Sequence, residues 1–197
     1  MDENEFRFGF SGRFPDRAFR LKDESLVSSD RLTGGAMATK KIALTTVLIA
    51  LTVVFSPFYI PLGTTKCFPA QHMMNVVAGV LLGPWYAGLM ALGTGLIRNF
   101  LGMGTVYAFP GGIPGALVVG IIYRYVWKND YAGFAEPLGT VVIGATLSAL
   151  VVAPWKGHSL TMYFFWVAFA ASSVPGSVLG FVVLKAIRRI GFAKYFV

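Results

Sequence analysis

Six apolar runs, separated by glycine, proline and charge, dictate what this chain can fold into. They cover Lys40 to Ile60, about Ala70 to Leu82, Trp85 to Leu101, about Ile113 to Trp127, Pro137 to Ala153 and Leu160 to Ile187. A helix rises about 1.5 Å per residue, so about 20 apolar residues cross a hydrocarbon layer roughly 30 Å thick. Inside that layer no water bonds the backbone, which leaves helices as the way for such runs to satisfy their N–H and C=O groups. The expected fold is an all-α integral membrane protein with six transmembrane helices. Composition agrees: 55% of residues are hydrophobic and 13% charged, and the mean hydropathy of +0.65 is above that of ordinary soluble domains.

The second and fourth runs hold only about 13 to 15 residues, roughly 20 Å of helix, and are expected to stop below a cavity. Charge then gives orientation. With the N-terminus inside, Lys40, Lys41, Arg124, Lys128, Lys185, Arg188, Arg189 and Lys194 flank the inner side, against Lys66, Arg98 and Lys156 outside. Eight against three favours N-in, C-in, so the basic balance reflects membrane topology and not nucleic acid. Residues 1–36 differ in kind: they carry six Lys/Arg and seven Asp/Glu without apolar periodicity, and are expected to be a disordered leader ahead of a six-helix domain over 37–197. Gly34-Gly35 just before Met37 also makes Met37 a candidate start, which the mass of the natively expressed protein would decide.

Polar side chains are few and placed. On the second helix Phe68, Gln71, His72, Asn75 and Gly79 recur at three- and four-residue spacing near the outer end. The third helix runs back outward and carries Gly88, Ala91, Gly95, Arg98 and Asn99. Taken singly, His72 reads as a hydrogen-bonded filler and Arg98 as a cation snorkelling to the interface. As antiparallel neighbours the two helices bring Gln71, His72, Asn75, Arg98 and Asn99 to one depth, and polar groups inside a bundle face an interior or a cavity. "GGIPG", Gly111 to Gly115, places Pro114 at an expected helix start whose free N–H groups would point outward. Tyr107, Trp155 and Tyr163 lie at the same level among aromatics that also suit an interfacial belt, with Trp155 the first candidate to stack on a flat ring and His158 a solvated loop residue.

Several chemistries lack their residues. Cys67 is the single cysteine, and no His/Cys cluster has metal-ligand spacing, so neither a disulfide, a metal site nor a cofactor is expected. No GxxxxGK[ST] loop, GxSxG, HExxH or paired-carboxylate arrangement occurs. No Asp or Glu falls within an expected span, whereas carboxylates are the usual ion relays of coupled transporters, so the chain is expected not to energise transport itself. An embedded enzyme would have to work with His72 and Cys67 alone. A self-sufficient facilitator would need a through-path, yet the inner half of helices 2 and 3 is Gly, Leu and Ala. On helix 1, Ala43, Thr46 and Ala50 continue from Thr39 as a small-residue face that could pack within the chain or on a partner helix. Ser172, Ser173, Pro175 and Gly176 mark a kink in the last helix.

The segments "FPAQHMMNVVAGVLLGPWYAGL", "GLIRNFLGMGT" and "AFPGGIPGALVVGIIYR" resemble the ThiW family, substrate-binding S components of energy-coupling-factor (ECF) transporters associated with the thiazole precursor of thiamine. The resemblance covers about Lys40 to Val197. It implies a six-helix S component of the bacterial cell membrane, an outward-facing cavity beneath a lid at Pro57 to Pro69, and docking by helix 1 onto a T component driven by two ABC ATPases. Here the docking face has Thr46 where alanine is usual. The implied ligand is hydroxyethylthiazole, a small neutral heteroaromatic, with hydroxymethylpyrimidine or thiamine as alternatives; Arg98 would also suit a phosphorylated form.

Overall fold

In the computed structural model, residues 17–62 and 65–191 are described, and the chain divides into two units, Met1–Thr39 and Lys40–Val197. Helix α1 is Arg17–Val54. Of the leader expected to be disordered, residues 1–16 lie outside the described residues, and the backbone from Arg17 onward is helical. After α1 comes a two-stranded antiparallel hairpin, β1 (Ile60–Leu62) paired with β2 (Thr65–Cys67) in the register Ile60 to Cys67. Then follow α2 (Pro69–Leu82), α3 (Pro84–Phe100), α4 (Ala108–Ile121, continuing in wide π turns to Val126), α5 (Asp130–Trp155) and α6 (Met162–Arg189). Helix α5 starts as a 3₁₀ segment over Asp130–Ala135 and widens into π turns over Leu138–Ala145 and Ser148–Val152.

Among the described residues four helices are long and apolar enough to cross a membrane: Gly35–Val54, Ala108–Val126, Asp130–Trp155 and Met162–Arg189. With six helices among the described residues, this is an all-α membrane protein. The fourth run, expected to be short, is not, because its helix starts at Ala108, five residues before Ile113, and runs to Val126, 19 residues in all. The second run is short as expected: α2 has 14 residues, and α3 with 17 is the other short helix. Gly83 joins them alone, at φ 84°, a conformation that costs glycine little, and Pro84 sits at the first position of α3 where its missing N–H is harmless.

The short helix α2 is the centre of Lys40–Val197. Eleven of its fourteen residues are buried, so it is covered on every side. Met74, Ala78 and Leu82 pack with Ala87, Met90, Ala91 and Ala116 from α3 and α4, while Val76, Val77 and Val80 pack with Val119 and Leu184. Small residues let the backbones approach: a methyl at Gly180 of α6 would stand 2.6 Å from Val76 Cβ. From Lys40 onward, α1 turns Leu48, Ile49 and Thr52 toward Met90 and Gly93 of α3. Its Ala43, Thr46 and Ala50 face is exposed, so that face does not pack within the chain.

Two acids lie in α5, contrary to the expectation that no span holds one. Pro137 resembles a helix start, which put Glu136 in the flank, but the helix begins seven residues earlier at Asp130. Arg188 Nε donates to both carboxylate oxygens of Asp130 at 2.7 Å, and its Nη2 lies 3.1 Å from the Tyr123 hydroxyl. These contacts tie the end of α4, the start of α5 and the end of α6 together. Glu136 is fully buried and belongs to the site below.

Candidate functional site

A cavity of about 750 Å³ opens at the end of the bundle where α2 and α6 begin and α3 ends. Its wall is built from the first turn of α2 (Phe68, Gln71, His72), the last turn of α3 (Arg98), the start of α4 (Tyr107, Gly111), the loop before α6 (His158, Leu160) and one face of α6 (Phe165, Phe169, Ser172). Beyond it the bundle is filled by the two apolar clusters around Met74 and Val76. The chamber is therefore one-sided.

The hairpin leads into the wall. Cys67, buried, directs its S–H to the Ala168 carbonyl at 3.8 Å, and the Phe68 N–H donates to Ser172 Oγ at 3.2 Å. These bonds fix Phe68 against α6, and its ring lies 4.0 Å beneath the Arg98 guanidinium. Arg98 is 1% exposed although charged. Its Nη1 donates to Gln71 Oε1, its Nε is buried without a partner, and no carboxylate pairs with it among the described residues. A guanidinium held this way is desolvated, and its remaining N–H groups are available to an acceptor in the chamber.

Behind His72 lies a polar knot. Glu136 Oε1 is 2.7 Å from His72 Nδ1, 3.2 Å from Asn75 Nδ2 and 2.7 Å from Thr140 Oγ1. Asn75 also donates to the Gly112 carbonyl at 3.1 Å, and Thr140 Oγ1 lies 2.8 Å from the Gly111 carbonyl. Gly112, Gly115 and Gly176 admit these side chains, since a Cβ at any of them would collide with Gln71, Glu136 or His72. At the rim, the Tyr107 hydroxyl meets His158 Nδ1 at 2.8 Å, and the Tyr107 ring packs on Phe165 at 5.0 Å. Partial burial pushes the Tyr107 phenol above its ordinary pKa.

Of the residues singled out from sequence, Gln71, His72, Arg98 and Tyr107 line the chamber. Asn75 does not: it is fully buried behind His72 and acts on Glu136 and Gly112. Asn99 follows Arg98 and points elsewhere, bonding the Gly95 and Thr105 carbonyls. Trp155 and Tyr163 are 74% and 75% exposed and lie outside the wall, which corrects the stacking assignment. The aromatic surface is supplied by Phe68, Phe164, Phe165 and Phe169. His158, expected in solvent, is part of the rim. Pro114 lies inside α4, which starts at Ala108, so "GGIPG" offers no free helix start; at that start Ala108, Phe109 and Gly111 donate to Thr105, Val106 and Tyr107. Glu136 and Thr140 escaped notice, though an i, i+4 acid and hydroxyl inside an apolar stretch was the available signal. Among the described residues no group of three His, Cys, Asp or Glu side chains could hold a metal.

Fold and chamber together define a multi-pass helical membrane protein with a small-molecule-sized cavity at one end of its bundle. Residues 42–190 match the family model for ThiW, the thiamine-precursor transporter protein, and the chain belongs to that family. No curated protein and no solved structure gives a significant match.

Proposed function

We propose that the chain is the substrate-capture S component of an ECF importer in the bacterial cytoplasmic membrane. It takes hydroxyethylthiazole from the outer face and passes it inward with a T component and two ABC ATPases. The observation that carries this reading is the one-sided chamber, with Arg98, Gln71 and His72 on one wall and phenylalanines on the other. A flat heteroaromatic ring has faces to stack there and a hydroxyl to bond. Three features support the rest. The end opposite the chamber carries Arg124, Lys128, Lys185, Arg188 and Arg189, which favours it as the cytoplasmic side. The Ala43, Thr46 and Ala50 face of α1 is exposed and narrow enough for close helix contact with the T component. The sequence contains no nucleotide-binding loop, so ATP hydrolysis falls to partners.

Calorimetric titration of the purified chain with hydroxyethylthiazole, hydroxymethylpyrimidine and thiamine tests the ligand; hydroxyethylthiazole is expected to bind most tightly. Arg98→Ala is expected to weaken it by about 1 to 3 kcal/mol, the cost of a lost hydrogen-bond partner. A self-sufficient carrier is the second reading, favoured by the buried Glu136 beside the chamber, since acids at membrane depth often relay ions. Rapid uptake of thiazole into proteoliposomes holding this chain alone would establish the carrier and exclude the capture subunit.

A further inference from the structure

Around the start of α5 and the end of α6 runs an aromatic ladder that the chamber does not use. Trp127 stacks on Tyr131 with ring centroids 5.9 Å apart, Tyr131 stacks on Phe181 at 5.1 Å, and Phe134 lies 5.1 Å from Phe181. Lys185 sits over two of these rings: its Nζ is 5.7 Å from the Tyr131 centroid, 5.2 Å from that of Phe181, and 3.5 Å from Asp130 Oδ2. Asp130 is already gripped through both oxygens by Arg188. One carboxylate thus faces two cations, and Lys128 follows Trp127 directly in the chain. From Lys40 onward the only other acid is Glu136, buried in the knot behind the chamber.

This surface is open. Trp127, Tyr131 and Phe134 are exposed, as is about half of the Lys185 side chain. Helices α5 and α6 are both long and apolar enough to cross a membrane, so their exposed faces meet lipid. From Lys185 an apolar track runs along α6: Phe181, Val178 and Val174 follow at spacings of four, three and four, which is one face of the helix, and both valines are exposed. The helix from Lys185 to Val174 covers about 16 Å, the depth of one leaflet in a hydrocarbon core roughly 30 Å thick. A lysine that only snorkels extends from the apolar surface into water. Lys185 is instead held against two rings and a carboxylate at the head of the track, with N–H groups left to meet a phosphate.

We propose that this face is a binding site for one anionic phospholipid: Lys185 donates to its phosphate, Tyr131 and Trp127 flank the headgroup, and an acyl chain lies along Phe181, Val178 and Val174. The site is at the end opposite the chamber and does not depend on what the chamber holds. A zwitterionic lipid offers the same phosphate, but its own cation adds to positive charge already there, so net charge selects the anionic headgroup. A protein is the other occupant such a face could take. Close helix contact favours small residues, however, and the exposed small-residue face is on α1, whereas this one is bulky and aromatic.

Native mass spectrometry of the purified full chain in detergent, titrated with phosphatidylglycerol and phosphatidylcholine of the same acyl chains, tests this. One phosphatidylglycerol is expected to bind per chain, at least about fivefold more tightly than phosphatidylcholine. Arg188 keeps Asp130 paired without Lys185, so Lys185→Gln is expected to fold and to lower phosphatidylglycerol affinity by about fivefold, with Lys185→Arg preserving it. Lys156→Gln, beside the chamber-lining Gly157 at the other end, is expected to change nothing. Equal losses for Lys185→Gln and Lys156→Gln would mean that net charge alone attracts the lipid, and would overturn the site. Equal affinity for the two lipids overturns it, as does displacement of phosphatidylglycerol by glycerol 3-phosphate, which has the phosphate without the chains. If Lys185→Gln leaves lipid binding unchanged but loses co-purification with a membrane partner, the face belongs to a protein and the proposal fails.

Discussion

Replacing Glu136 by leucine isolates the cost of its polar bonds, because leucine nearly fills the same volume and leaves little cavity. Three groups converge on Oε1, but they do not lose equally. Thr140 has one hydroxyl hydrogen and keeps the Gly111 carbonyl at 2.8 Å. Asn75 keeps one N–H on the Gly112 carbonyl and strands the other; His72 strands Nδ1. Two buried polar groups without partners cost about 1 to 3 kcal/mol each, so the variant is expected to be less stable by about 2 to 6 kcal/mol. For a chain of this length each kcal/mol lowers the melting temperature by about 2 to 4 °C, which makes the loss at least about 4 °C. Thermal unfolding in detergent reads it directly. Adding His72→Leu and Asn75→Leu removes the stranded groups, and is expected to recover part of the loss despite the added strain. A Glu136→Leu protein that melts within 1 °C of the parent would refute the convergence on Oε1.

Gly180→Ala places its methyl 2.6 Å from Val76 Cβ, so α6 must move away from α2; a destabilisation of about 1 to 3 kcal/mol is expected by the same assay. Trp155→Ala is expected to leave ligand affinity unchanged, whereas Phe68→Ala, which removes the ring 4.0 Å from Arg98, is expected to weaken it by about 1 to 2 kcal/mol in calorimetry. Asp130→Asn loses the carboxylate that Arg188 grips at 2.7 Å, and is expected to cost about 1.5 to 3 kcal/mol in thermal unfolding while sparing ligand affinity, since the pair sits far from the wall. Ala50→Leu, on an exposed face of α1, is expected to leave stability and ligand affinity intact while abolishing co-purification with the T component proposed as its partner.

Where the sequence follows a regular helix, face arithmetic brings together residues that line one chamber wall. Gln71, His72 and Arg98 converge because Gly83 turns α2 straight into α3, and the long Arg98 side chain makes up the roughly 5 Å of helix by which it lies farther from that turn. Asn99 fails the same arithmetic by one residue, being rotated about 100° from Arg98. The larger errors lie where the helix is not regular. In α5 the π turns insert extra residues, so spacing no longer predicts direction, and Trp155 at its end falls outside the wall. Glu136 was hidden by the proline after it, an ordinary mark of a helix start that here lies within a helix begun as 3₁₀ turns. The phenylalanines of α6 carry no polar tag that could separate wall from lipid-facing surface.

The knot around Glu136 also sets an order of events during synthesis. Glu136 lies 64 residues after His72 and 61 after Asn75, so the polar end of α2 leaves the ribosome well ahead of its partner. At about 5 to 20 residues per second that interval is roughly 3 to 13 s. Gln71 and Asn75 can meet Arg98 and the Gly112 carbonyl as α3 and α4 emerge, but His72 Nδ1 waits for α5, and an unpaired polar group is one that hydrocarbon penalises. A chain truncated before Glu136 is therefore expected to hold the start of α2 less firmly.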